Sequence, residues 1–107
     1  MATRQRVQVG GTGTPEPLTG THPATCVSAE RSVSKAGNRM VVWTFRLDNG
    51  MDLRRWTLER STDIHETVVA LGLDPKAVRL SEAPGRRCRV VLSHDGSFHN
   101  IEAVRPL

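Results

Sequence analysis

The chain has 107 residues, 37% of them hydrophobic, and a formal net charge of +4. That is one domain with a modest core, and the lack of any run of about eighteen apolar residues excludes a membrane-spanning helix. The positive balance favours polyanionic partners, since basic side chains displace condensed counterions from a phosphate backbone. Arginine supplies thirteen of the 15 basic residues, a bias that a GC-rich genome produces with no functional cause.

Residues 1–19 are rich in glycine and proline and poor in apolar side chains. They read as a flexible arm with a short strand at Val7 to Val9. The arm is either a solvated leader or a segment whose Arg4 and Arg6 touch nucleic acid. It has no apolar stretch of the kind a secretory signal needs, so a cytoplasmic location is expected. In that setting Cys26 and Cys88, far apart and in no CxxC arrangement, read as buried thiols.

THPATCVSAERSV, Thr21 to Val33, alternates without helical periodicity and predicts a first strand, with Pro23 tolerable near its start or on an edge. SKAGN, Ser34 to Asn38, is a loop. MVVWTFRL, Met40 to Leu47, and MDLRRWTL, Met51 to Leu58, predict a second and a third strand, rich in β-branched and aromatic residues. Asn49-Gly50 suits a two-residue type I′ turn between them. That turn would set Trp43 opposite Trp56, Phe45 opposite Arg54, Val41 opposite Leu58 and Thr44 opposite Arg55. Val41, Trp43, Phe45, Leu47, Arg54, Trp56 and Leu58 would then share the inward face. Met40, Val42, Thr44, Arg46, Leu53, Arg55 and Thr57 would look outward. A slip of one residue would exchange the faces.

STDIHETVVALGL predicts a helix capped by Asp63, with Glu66 three residues on, a stripe of Ile64, Val68 and Leu71, and a left-handed stop at Gly72. DPKAV adds a turn, and APG, Ala83 to Gly85, breaks the chain. CRVVLS and FHNIEAV flank a second turn at Asp95-Gly96, which would oppose Val90 to Ile101, Cys88 to Ala103 and Arg89 to Glu102. Phe98 falls beside that turn, half exposed.

Three strands, a helix and two more strands is the order of an OB-fold, a mainly β, five-stranded, partly open Greek-key barrel. The domain is expected over residues 20–107, after the arm. In such barrels the second and third strands and the loops after strands one and four bind oligonucleotides or sugars. Catalysis finds little support: there is no G-x-S-x-G, and GGTGTPEP is not followed by a helix as a phosphate loop would be. His94 and His99 have no nucleophile beside them. The four histidines show no metal-binding spacing, so neither metal nor cofactor is expected.

The stretch GTHPATCVSAERSVSKAGNRMVVWTFRL, residues 20–47, resembles the start of small phage-encoded OB-fold proteins that are associated with single-stranded DNA and with annealing recombinases. The likeness rests on Gly20, on Ala29-Glu30, and on Ser34-Lys35-Ala36-Gly37-Asn38. It continues in Leu71-Gly72-Leu73-Asp74 and Gly85-Arg86, and spans about residues 20–105. His22 replaces an aromatic residue, a tight turn replaces a longer insertion between strands two and three, and an acidic C-terminal tail is missing.

The resemblance implies non-catalytic binding of single-stranded DNA in phage replication or recombination, with partner proteins of those processes, and the sequence does not separate DNA from RNA. Such binding needs cations that follow the backbone and flat groups on which bases stack. The candidate cations are Lys35 and Arg39 at the first loop, Arg46, Arg54 and Arg55 on the central hairpin, and Arg86, Arg87 and Arg89 near the other edge. Arg46 and Arg55 lead that group. Candidate stacking residues are Phe98 and, if the two faces of the hairpin are exchanged, one of Trp43 or Trp56. With few rings, affinity per domain would be modest and would call for several copies along one strand. Five neutralised phosphates would give a log–log salt slope of about −3.5. The rival is an OB-fold interaction or phage structural module, in which Arg46 and Arg55 are paired or buried.

Overall fold

A computed structural model describes residues 18–107. The expected strand at Val7 to Val9, with Arg4 and Arg6, lies outside the described residues. Five strands follow: β1 (Gly20–Val33), β2 (Arg39–Leu47), β3 (Asp52–Leu58), β4 (Arg87–His94) and β5 (His99–Arg105). One helix, α1 (Thr62–Ala70), and a 3₁₀ turn at Leu80–Glu82 stand between β3 and β4. Every pairing is antiparallel and the order across the sheet is β3-β2-β1-β4-β5. This is an OB-like half-barrel. Among the described residues no helix is long and apolar enough to cross a membrane.

β1 makes the curl possible. Its first residues, Gly20 to Thr25, pair with β4, and Ala24 to Val33 pair with β2. The ladder to β2 shifts register between Cys26 and Ser28, and such bulges bend a strand and sharpen its twist. One strand thereby joins two halves of a curled sheet. The core lies inside the curl, around Trp43, Phe45, Val41, Val90, Val104, the α1 residue Val68 and the helix's C-cap Leu71.

The helix ends as its sequence predicts and starts differently. Gly72 takes φ +74°, its N–H donates to Val69 O, and the Leu73 N–H reaches back to Val68 O. This is a Schellman stop, with Val68 and Leu73 both in the core. At the other end Ser61 occupies the cap position but its hydroxyl donates back to Leu58 O and caps no helix N–H, and Asp63 lies in the first turn. Glu66, expected to complete a capping box with Asp63, points instead to the sheet.

The two hairpins correct the predicted registers. Between β2 and β3 the Leu47 N–H donates to Met51 O at 2.8 Å and the Gly50 N–H to Leu47 O at 2.9 Å. Asp48, Asn49 and Gly50 therefore form a three-residue loop, with Gly50 at φ +91° and the Met51 N–H held by Asn49 Oδ1. A two-residue type I′ turn needs positive φ at both central positions, whereas the three-residue form asks it only of the final glycine. The pairing becomes Trp43 with Arg55, Val42 with Trp56, Thr44 with Arg54 and Phe45 with Leu53. One extra turn residue reverses the faces of β3 and leaves those of β2 as expected.

At the second hairpin the loop is Asp95 to Phe98, closed by the Asp95 N–H on Phe98 O at 3.2 Å. Asp95 Oδ1 accepts the N–H groups of Ser97 and Phe98, and these bonds, Phe98 first, hold its carboxyl below its ordinary value. His94 consequently opposes His99 and Leu92 opposes Ile101, and past a shift between Val91 and Leu92, Ala103 opposes Val91 and Val104 opposes Val90. The expected pairs Val90–Ile101, Cys88–Ala103 and Arg89–Glu102 do not form.

β3 and β5, the two ends of the sheet, are not hydrogen-bonded to each other. α1 packs against both. Glu66 spans the seam: its Oε2 lies 3.0 Å from Arg55 Nη2 on β3 and 3.3 Å from the Val104 N–H on β5. A single carboxylate thus links helix, third strand and fifth strand.

Candidate nucleic-acid interface

On β2 and β3 alternate side chains leave the core. The outward set is Met40, Val42, Thr44 and Arg46 on β2, with Asp52, Arg54, Trp56 and Leu58 on β3. Trp56 lies near the middle of this surface and is 58% exposed, beside Val42 across the ladder and Arg54 and Leu58 along its own strand. The other tryptophan is sealed inside: Trp43 is 0% exposed, and its Nε1–H donates to Thr57 Oγ1 at 2.8 Å. A buried indole N–H needs such an acceptor, which accounts for a threonine in the interior. Of the two stacking candidates, Trp56 is therefore the available ring.

The charged candidates separate sharply. Arg55, expected outward, faces the core opposite Trp43 and is only 7% exposed. Its Nη2 meets Glu66 at 3.0 Å and Asp63 Oδ1 at 3.7 Å. Arg46 faces outward but is clamped by its cross-strand neighbour, Nε to Asp52 Oδ1 at 2.8 Å and Nη2 to Oδ2 at 3.1 Å. Arg87 is clamped alike, its Nη1 donating to Asp48 Oδ1 at 2.9 Å and to Thr25 Oγ1 at 3.0 Å. The Arg46 and Arg87 hydrogen bonds hold Asp52 and Asp48 below the usual carboxylate range. Both clamps are therefore complete above the ordinary carboxylate pKa, and their contribution is lost as pH falls through the depressed values. Arg86 donates its Nε–H to Glu82 O and lies over Gly72 beyond the helix, away from the β2–β3 surface.

Lys35, Arg39 and Arg54 make no ion pair among the described residues. Lys35 lies in the loop closed by the Gly37 N–H on Ser34 O and the Asn38 N–H on Ser34 Oγ. At that end Gly37, Asn38, Arg39, Leu58, Glu59 and Arg60 line an open hollow of about 560 Å³. Arg60 is also free of an ion partner among the described residues. Sequence reasoning passed it over, because it lies beyond the third strand with nothing but charge to mark it.

At the other side Arg54, Arg55, Trp56 and Asp63 face His99 and Asn100 across a cleft of about 370 Å³. The cleft follows the seam between β3 and β5. His99 packs edge-on against His94, with ring centroids 4.7 Å apart, and its Nε2 accepts the Leu18 N–H at 3.0 Å. Phe98, in the loop beside them, is 70% exposed. The outer surface thus carries one exposed indole, with a hollow and cations unpaired among the described residues at one end and a mixed polar cleft at the other.

No family model matches the chain, and no curated protein matches it.

Proposed function

We propose that this protein binds single-stranded DNA, without catalysis, along the outer surface of β2 and β3, in the setting of phage replication or recombination that its sequence resemblance suggests. The observation that carries the reading is Trp56, more than half exposed near the middle of the surface that OB-folds use. A bare tryptophan beside an unpaired arginine is a stacking platform that tolerates any base. Lys35, Arg39, Arg54 and Arg60 supply charge for the backbone, and Phe98 offers a second ring. Arg46, Arg55 and Arg87 leave the binding set because carboxylates already hold them. With four cations in place of five, the log–log salt slope on a single strand flattens to about −2.8.

The second reading, an OB-like interaction module, is favoured by the clamped state of Arg46 and Arg55 and by the apolar neighbours of Trp56. Titrating a fluorophore-labelled oligo-dT of about thirty nucleotides, long enough for one or more OB-fold sites, at several salt concentrations separates the two. DNA binding predicts saturable, salt-weakened association that quenches Trp56 emission. Absence of association at low salt would overturn it and leave the interaction module.

A further inference from the structure

The core side of β2 carries a pocket that strand binding does not use. It lies between β2, α1 and the connection from Pro75 to Leu80, and holds about 400 Å³. Val41, Ile64, Val68, Val78 and Leu80 supply its apolar lining. Val41 and Val68 are buried core residues, so the pocket reaches down to the core. Ser61 is the one hydroxyl in the lining among the described residues, and it already donates to Leu58 O. Val41 faces inward, whereas Val42 and Trp56 face outward across the ladder. The pocket therefore belongs to the opposite face of the sheet from the exposed indole.

Its rim is charged and unbalanced. Arg31, Glu59 and Arg60 line the pocket, and Arg39 joins them in two hollows that share Glu59 with it. Among the described residues Glu59 is the single acid lining all three, against three arginines. Its one ion contact there is with Arg31 at 4.0 Å, and the Arg31 side chain is 66% exposed. Arg31 pairs with Val41 across the β1–β2 ladder, which sets that guanidinium over the mouth of the pocket.

An apolar socket inside a cationic rim takes a partner of the reverse design, one bulky apolar side chain between carboxylates. Anchors of this kind fill desolvated pockets at the centre of protein interfaces. A nucleic-acid strand matches the rim but not the socket, because a base there would give up water without a hydrogen-bond partner on the walls. The chain's own residues 1–17 match neither, with Arg4 and Arg6 against Glu16. We propose that this pocket docks an acidic segment of a partner protein, its apolar anchor against Val41, Val68 and Leu80 and its carboxylates on Arg31 and Arg60. The inference does not need the strand-binding reading. Because the two surfaces use opposite faces of β2, one chain can hold a strand and a partner together.

The probe is a fluorescein-labelled heptapeptide, a central phenylalanine between two runs of three glutamates, followed by anisotropy against the full chain. It should bind saturably at low salt and weaken as salt rises. Serine in place of the phenylalanine should weaken it about tenfold or more, the effect of losing one buried aromatic side chain. Lysines in place of the glutamates should abolish association. Arg31→Ala, an exposed change, should weaken the peptide about threefold, the scale of an exposed ion pair, and leave oligo-dT binding as in the parent. Trp56→Ala should leave the peptide unaffected. No association of the parent peptide, or equal association of the serine peptide, removes the docking surface. Loss of the peptide in Trp56→Ala would seat the anchor on the outer face, and an equal loss of oligo-dT in Arg31→Ala would give the arginine rim to the strand; either result overturns the proposal. A peptide that binds in the expected pattern while oligo-dT fails supports the docking surface and removes the strand-binding reading alone.

Discussion

The two tryptophans of this chain, thirteen positions apart on paired strands, have opposite fates. Trp43 is wrapped by the core with its N–H satisfied by Thr57. Trp56 stands on the solvent side of the same hairpin beside Val42 and Arg54. Residue type does not distinguish them. Strand parity does, and parity here is decided by one residue of the connecting turn. The two faces also treat arginine differently: inside, Arg55 is held by two acids of the helix, whereas outside, Arg54 has no ion partner among the described residues and Arg46 is clamped by a strand neighbour.

The largest separation of the faces comes from removing each ring. Trp43→Ala should cost about 3–5 kcal/mol, as large-to-small changes in packed cores do. Trp56→Ala should alter stability by less than about 0.5 kcal/mol while weakening oligonucleotide binding by about 1–3 kcal/mol. Urea unfolding and fluorescence titration of both variants read the contrast, and equal effects on stability would erase it. Next, Glu66→Gln should destabilise by about 1–3 kcal/mol, because Arg55 loses its charge-assisted bond and keeps only Asp63, 3.7 Å away, as a counter-charge. Replacing both members by apolar residues of similar volume, Arg55→Met with Glu66→Leu, should recover most of that loss in the same assay. The smallest effect concerns the outer clamp. Asp52→Asn frees Arg46, so it should strengthen DNA binding and steepen the log–log salt slope by about 0.7, the contribution of one further phosphate contact.

Much of the architecture is legible in the sequence because local signals agree with one another. The strand runs, the loop at Ser34 to Asn38 and the stop at Gly72 each rest on a few neighbouring residues, and their order alone indicates an OB-like barrel. The parity of β3 is not legible in the same way. Asp48-Asn49-Gly50 is compatible with a two-residue and a three-residue loop, and the two differ by one position that moves every side chain of β3 to the other side. Counting apolar residues favoured the wrong choice, since Trp56 and Leu58 look like core residues and Arg55 and Thr57 do not. The two residues that looked polar have interior partners from elsewhere: Glu66 lies on the helix and Trp43 on the facing strand. No local pattern announces those contacts, and none announces that β3 and β5 come together to make the seam cleft.

The two cysteines lie on neighbouring strands, Cys26 on the central β1 and Cys88 on β4. Both are fully buried and unlinked. Burial pushes the Cys26 thiol up to about 11 and the Cys88 thiol to about 12, with Cys26 itself adding to the rise at Cys88. A thiol in that state does not react with an alkylating reagent, since only the thiolate is a nucleophile. Modification must wait for the two strands to part, so its rate is a clock for how often the barrel breathes. The same clock, run with and without an oligonucleotide, registers how far an occupied outer surface steadies the sheet behind it.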